Sequence, residues 1–311
     1  MVDTMSEDTL LRETAAEIAE QCRPEQHDDC WKALTETGFS ALRDADGDAP
    51  AATAAQTVVV VEEMAKVVCG APLVGTLLAG EALRLAGVAL DEPLTLVLAD
   101  DLGSLGAGLA WDSTAVSRGL ALDQGELVTV ALGAGEPSAD LTRGVSRVGE
   151  IVGRCGAALG EAEARRFAGF ARVLLTADLL GAAGGLFGKA VEYAEQRVQF
   201  GRPIGSFQAV QHLLARAFAD LEAMRSTLAH AAHAIDTGDD AHACALVAKA
   251  YANEAAVSVV ETAIQVFGGV AITWEFPAHL HLRRVVADAQ VFGTADALYG
   301  LLHDEVEGVA R

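Results

Sequence analysis

The sequence predicts a mostly α-helical protein in three parts. These are an N-terminal helical domain (1–92), a shortened β-rich middle domain (93–157) and a C-terminal antiparallel four-helix bundle (158–311). Three observations predict it. Alanine makes up roughly one residue in five of the 311, a composition that favours helix. Hydrophobic residues are 51% of the chain, which excludes disorder and supplies a core for this length. The helical spacing of apolar residues gives way only between about 93 and 150, where short β-prone runs separated by Gly, Asp and Ser take over.

Taken in order, Ser6–Cys22 and Asp28–Leu42 carry apolar residues at helical spacing, with Gly38 near the second C-terminus. The segment Arg43–Thr53, RDADGDAPAAT, reads as a linker. Helices follow over Ala54–Val68 and Pro72–Leu85, the latter opened by a proline suited to a first turn. In the middle part LTLVLA, TAVS and ELVTVAL are the strand candidates, and the insert is too short for a closed barrel of long strands, so a reduced sheet is expected. One long helix is then expected from Gly160 to Val198. The turn FGRPIG (200–205), a helix over Ser206–Asp236, the break TGDD (237–240) and a helix to Val266 follow. Beyond FGG and a loop to Pro277, two last helices cover 278–291 and 295–309. Short connections make these long helices antiparallel neighbours.

Charge and cysteines narrow the function. Lys+Arg 22 against Asp+Glu 44 gives −22, which excludes a nucleic-acid binder and a protein held on anionic lipid by basic residues. Residues 1–150 hold 9 basic and 26 acidic residues (−17) and 151–311 hold 13 and 18 (−5), summing to −22. No apolar run reaches the roughly 18 residues of a membrane span. The N-terminus MVDTMSEDTLLRE is acidic where a signal peptide is basic and then apolar. Cys22, Cys30, Cys69, Cys155 and Cys244 are odd in number and lack a CxxC pair, so neither a disulfide framework nor a zinc site is expected. The chain reads as soluble and cytoplasmic, with no metal.

Several patterns carry no chemistry. LLGAAGGLFGKA lacks the Gly at 183 and the Ser or Thr at 190 that a phosphate loop needs, both being Ala, and small residues at helix crossings account for it. His230/His233 and His279/His281 have no carboxylate or cysteine completing a metal set. Neither G-x-S-x-G nor HExxH is present.

Two stretches stand apart. In YAEQRVQFGRPIGSFQAVQ (193–211), Arg197, Phe200 and Gln208 flank a turn that aims an Arg fork and an aromatic ring outward together, a group suited to a pyrophosphate with an attached aromatic ring. In AIQVFGG (263–269), Gly268-Gly269 after a helix allows close backbone approach to a ligand, with Gln265 one turn back; Trp274-Glu-Phe-Pro277 and Arg283 follow.

Together, as RxxFGxPIxxFQ followed by QxFGG, these stretches resemble the acyl-CoA dehydrogenase family closely over 158–311. Trp31–Gly38 is more weakly similar to that family's early helix. The resemblance implies an acyl-CoA dehydrogenase-like fold, FAD as cofactor and removal of two hydrogens from the α and β carbons of an acyl-CoA thioester. It places Arg197 at the FAD pyrophosphate, Phe200 beside the cofactor, and Phe207 and Gln208 at further FAD contacts. Gln265, Gly268 and Gly269 would receive the adenosine end across a subunit interface.

The same resemblance exposes two losses. The family's base is the Glu of a Glu-Gly-Thr triplet, and here Phe292 stands in its place within VFGT (291–294); phenylalanine accepts no proton. The alternative position on the long helix falls near Ala171, also without a carboxylate. In the middle part, Gly135-Glu-Pro-Ser138 is either a remnant of the segment that holds the flavin ring or a surface turn. No catalytic residue is therefore assigned. The resemblance is to the non-catalytic subunit of a heterotetrameric α2β2 enzyme of steroid-CoA type. A longer partner subunit would supply the catalytic Glu and the ring pocket, bind most of the acyl-CoA and pass electrons to an electron-transfer flavoprotein. A homo-oligomer of altered chemistry, with Glu275 or Asp296 as substitute base, and a scaffold without FAD are the alternatives.

Overall fold

The computed structural model describes residues 7–22, 27–47, 49–90 and 92–309. Ser6, the expected first residue of the first helix, and the opening MVDTMS lie outside them. Helix α1 (Glu7–Gln21) and α2 (His27–Glu36) are followed by a 3-10 turn, Phe39–Ala41, set off by Gly38 at φ 78°. The segment read as a linker is structured. It holds the two-residue strands β1 (Ala45–Asp46) and β2 (Ala49–Pro50), and it begins at the buried Arg43, paired to Glu81 at 2.9 Å and lying over the Phe170 ring. Helix α3 (Ala54–Ala65) starts in a capping box of Thr53 and Gln56. Asp236 also accepts from the amides of Ala54 and Ala55. Helix α4 (Leu73–Leu85) has Pro72 at its N-cap.

The middle segment departs from expectation. Strands β3 (Thr95–Leu98), β4 (Leu109–Trp111), β5 (Arg118–Asp123), β6 (Glu126–Glu136) and β7 (Val145–Arg154) form a closed barrel in the order β3-β4-β7-β6-β5, not a reduced open sheet. Closure comes from a parallel pairing of β3 with β5 and from β6 and β7, which are long and coiled by three register shifts. A small interior of Val97, Ala110, Ala121, Val128 and Val130 fills the barrel. TAVS is a turn outside it.

Helix α5 (Glu161–Gln196) is the axis of the molecule. Residues 169–183 are buried on every side, so this stretch shows no polar face. After the hairpin β8 (Val198–Gln199) and β9 (Arg202–Pro203), α6 (Gln208–Thr237) and α7 (Ala241–Phe267) run back along it, and α8 (Ala278–Asp288) and α9 (Ala295–Val309) complete the antiparallel bundle. Within α5, and within α7 together with the 3-10 turn after it (Ala241–Ile272), lie windows apolar enough to span a membrane, where none was expected; 83% and 44% of them are buried inside the protein. Arg172 and Asp178 interrupt the first window and are themselves buried.

Cysteines also depart from expectation, since Cys22 and Cys30 form a disulfide across the connection between α1 and α2. A separation of eight residues joins two packed helices here and carries no sequence signature of its own.

Small residues do place helices. A Cβ on Gly181 would strike the carbonyl of Glu62, and one on Gly185 the carbonyl of Lys66, whereas Gly184 and Gly188 face open space. Gly185→Ala should therefore destabilise the protein by about 1–3 kcal/mol through overpacking. Gly184→Ala should be neutral or stabilising by up to about 1 kcal/mol. Thermal melts that moved both variants equally would contradict a close α3–α5 crossing.

Candidate functional site

The antiparallel run of α5, α6 and α7 brings both motifs to one end of the bundle. Helix α5 ends there, the β8–β9 hairpin turns, and α6 begins; α7 returns to the same end at Phe267. Tyr193 and Phe267 pack at a tilt with ring centroids 5.2 Å apart, and Phe267 and Phe276 edge-on at 4.6 Å, so α5, α7 and the following loop meet through an aromatic cluster.

On this base the candidate residues project outward. Arg197 follows α5 and is exposed, with only its backbone bonded, to Tyr193 and Ile204. Phe200 and Gly201 form the two-residue loop of the hairpin at φ 52° and 79°, which fits a type I′ turn. A phenylalanine at positive φ is strained, and this one is 92% exposed. Its strain serves no core contact. Phe207, at the N-cap of α6, packs edge-on against Phe200 at 6.2 Å and lies under the Arg202 guanidinium at 4.1 Å. Gln208 opens α6, whose first amides receive no side-chain cap. Gln265 is exposed on the last turn of α7. Gly268 holds φ 62°, ψ −135°, a conformation reserved for glycine, and Gly268 and Gly269 both open onto free space.

The donor set fits an anionic dinucleotide. Among the described residues, neither Arg197 nor Arg202 has a carboxylate partner, in a chain of charge −22. The uncapped N-terminus of α6 adds free amides and the positive end of a 30-residue helix. Arg202 is the residue that sequence reasoning passed over. Its signal was present in the same motif, two residues after Phe200. These residues lie on the exposed surface of the bundle end.

The position of the missing base is closed. Phe292 is 1% exposed, packs edge-on against Phe167 at 5.8 Å, and donates its amide to the Leu102 carbonyl at 2.9 Å. Ala171 is fully buried within α5. Beside it Arg172 donates to the Phe292 carbonyl at 3.3 Å, and burial pushes its guanidinium down to about 10. Glu275 and Asp296 are exposed on the surface, apart from this filled interior. Gly135-Glu-Pro-Ser138 ends β6 and the following turn, and Glu136 pairs with the exposed Arg147 of β7.

A buried ionic cluster between barrel, α5 and α8 was not legible in the sequence. Arg143, just before β7, pairs with Asp178 of α5 and with Asp288 of α8 at 2.5 Å, lies 3.3 Å from Asp112, and covers the Trp111 ring. Arg284 pairs with Asp140 at 2.5 Å and Asp178 at 3.3 Å and donates to the Cys69 carbonyl at 2.9 Å. Lys249 donates to the Asp288 carbonyl, and Asn253 to that of Gly293. Burial pushes the Asp288 carboxyl up and the Lys249 ammonium down. The cluster ties the barrel, α5 and α8 together, and through the Asp288 and Gly293 carbonyls it flanks the Phe292 turn.

The family described as acyl-CoA dehydrogenase, C-terminal domain, matches residues 160–306. Acyl-CoA dehydrogenase IpdE2 of Mycobacterium tuberculosis is 34% identical over 262 residues, 81% of this chain and 78% of that protein. A chain of the Tcur3481-Tcur3483 steroid ACAD superposes with a TM-score of 0.85 at 25% identity, over 98% of this chain and 99% of that one. A chain of the ChsE4-ChsE5 complex of Mycobacterium tuberculosis shares the fold at a TM-score of 0.79 and 21% identity, over 99% of both chains.

Of the histidine pairs, His281 is buried, with Nδ1 2.7 Å from the Ala182 carbonyl, and burial lowers it to about 3. Its folded pKa lies below the ordinary 6.5, so the unfolded chain binds the extra proton first. The stability it contributes is present above about 6.5 and is lost as pH falls toward 3. Denaturant melts of His281→Gln should show a shallower loss of stability across that window than the parent. Parallel pH profiles would contradict the assignment.

Proposed function

The chain belongs to the acyl-CoA dehydrogenase family, and we propose that within it this protein is the non-catalytic subunit of an FAD-dependent heterotetramer (α2β2). A longer family member would supply the base and the ring pocket. One observation carries the reading: unpaired Arg197 and Arg202, the strained exposed Phe200 and the open Gly268-Gly269 share one bundle end, while the interior at Phe292 is solid.

FAD, when bound, supplies the hydride acceptor for α,β-dehydrogenation of an acyl-CoA. The residues of this chain act on its remote end. Arg197 offers a guanidinium fork to pyrophosphate oxygens, with Arg202 and the α6 amides adding positive potential. Phe200 and Phe207 give flat apolar faces to an aromatic ring system, Gln208 and Gln265 offer amide groups, and Gly268-Gly269 let the adenosine approach the backbone. Such contacts bind and orient; they move no proton. The α proton must leave to a carboxylate from the partner, because Phe292 and Ala171 offer none.

The likeness to a steroid ACAD supports a steroid side-chain CoA thioester as substrate, held mainly by the partner, with an electron-transfer flavoprotein as the acceptor and the cytoplasm as the place of work. The alternative bases Glu275 and Asp296 gain no support from their exposed positions, and a scaffold without FAD leaves the arginines and the strained Phe200 unexplained.

Purified alone, the chain should be colourless and inactive; co-expressed with a longer relative that carries the Glu-Gly-Thr triplet, it should yield a yellow complex that oxidises an acyl-CoA. Arg197→Ala should cut the complex's FAD affinity by about tenfold to a hundredfold, as loss of a charge-assisted contact worth about 1.5–3 kcal/mol requires. Stoichiometric FAD and acyl-CoA oxidation by the isolated chain would overturn the proposal. Phe292→Glu should lower the melting temperature without giving turnover to the isolated chain, since its carboxylate enters a packed interior. Turnover by that variant would show an intact catalytic pocket.

A further inference from the structure

Three sulfurs meet at the N-terminal helices, apart from the residues proposed to meet FAD. Cys22 follows α1, Cys30 lies within α2, and Cys69 lies in the turn between α3 and α4; all three are buried. Their sulfur atoms lie within 4.8 Å of one another. Cys22 and Cys30 are joined, and the Sγ of Cys69 sits 3.1 Å from that of Cys30. Cys30 has no proton to give while bonded to Cys22, so the Cys69 thiol is the donor in that contact.

Thiol–disulfide exchange proceeds by attack on one sulfur of a disulfide, in line with the bond that breaks, and departure of the other. The Cys69 sulfur is in contact with that of Cys30 but to the side of that line, since all three sulfurs lie within 4.8 Å of one another, so a side-chain rotation of Cys69 precedes attack. We propose that Cys22, Cys30 and Cys69 form an internal exchange centre, in which the Cys69 sulfur attacks the Cys30 sulfur and the bridge moves from Cys22–Cys30 to Cys30–Cys69. The Cys69–Cys30 bond forms as the Cys30–Cys22 bond breaks, and the proton of the Cys69 thiol passes to the departing Cys22 sulfur. One disulfide and one thiol stand on each side, so no oxidant or reductant is consumed.

The move has structural content. In the first state the bridge ties α1 to α2. In the second it ties α2 to the α3–α4 turn, whose Cys69 carbonyl is held by Arg284 of the buried ionic cluster at 2.9 Å. Burial pushes the Cys69 thiol up to about 11, so at neutral pH the attacking thiolate is scarce and exchange is slow. The N-terminal helices thereby acquire two alternative covalent tethers selected within one cluster. This inference stands independently of the proposed subunit role.

The full chain tests it. Wild type, Cys69→Ser and Cys22→Ser are equilibrated in one reduced–oxidised glutathione mixture that closes Cys22–Cys30 in Cys69→Ser, quenched with acid, unfolded, alkylated and mapped by mass spectrometry. Folded Cys22→Ser should contain a Cys30–Cys69 bridge. In wild type the alkyl label should divide between Cys22 and Cys69 within about tenfold of each other. A folded Cys22→Ser that keeps both thiols free overturns the proposal. Should circular dichroism show that this variant does not fold, the wild-type label decides: division between the two residues supports exchange, and label on Cys69 alone overturns it.

Discussion

Charges taken out of water at the junction of barrel and bundle must be neutralised by one another, and the architecture is built around that requirement. Arg143 and Arg284 can be buried only because Asp140, Asp178 and Asp288 reach them from the barrel side, α5 and α8. A pair of this kind adds little net stability, whereas loss of one partner leaves a buried charge costing about 3–5 kcal/mol. Position is therefore what the cluster sets. Asp288 ends α8, its carbonyl is held by Lys249, and four residues later Phe292 is seated against Phe167.

Fixing that turn keeps Phe292 buried against Phe167. The same bundle leaves its other asset outside. Arg197, Arg202 and Phe200 are held at the end of α5 by a tight hairpin, and α6 presents an uncapped N-terminus beside them. Under the proposed function, a second chain would bring the rest of a cofactor pocket to this surface. The uneven charge agrees: most of the −22 lies in residues 1–150, away from the arginine-bearing bundle end.

Helices were legible because their signals are local: Gly38 and Gly238 at left-handed ends, and Pro72 before α4. The grouping of exposed residues at the bundle end was legible for a related reason. Arg197 through Gln208 lie in one short stretch, so the sequence itself displays their grouping. The barrel was hidden because its closure depends on the pairing of β3 with β5 and on bulges in β6 and β7, and because β7 is largely exposed and carries Gly149 and Gly153. Arg143–Asp288 spans 145 positions and Cys30–Cys69 spans 39, and no periodicity encodes such meetings. The long helix α5 was found by its apolar run, yet the buried roles of Arg172 and Asp178 within it needed the fold.

In the proposed complex labour is divided: one chain would hold the nucleotide end of the cofactor and another would enclose the ring. The most direct measurement is the ratio of FAD to each polypeptide in the purified complex, by flavin absorbance against quantitative amino-acid analysis. One FAD for each pair of unlike chains is the result this division predicts. One FAD for every chain of both kinds would show that this protein encloses a flavin ring of its own and would contradict it.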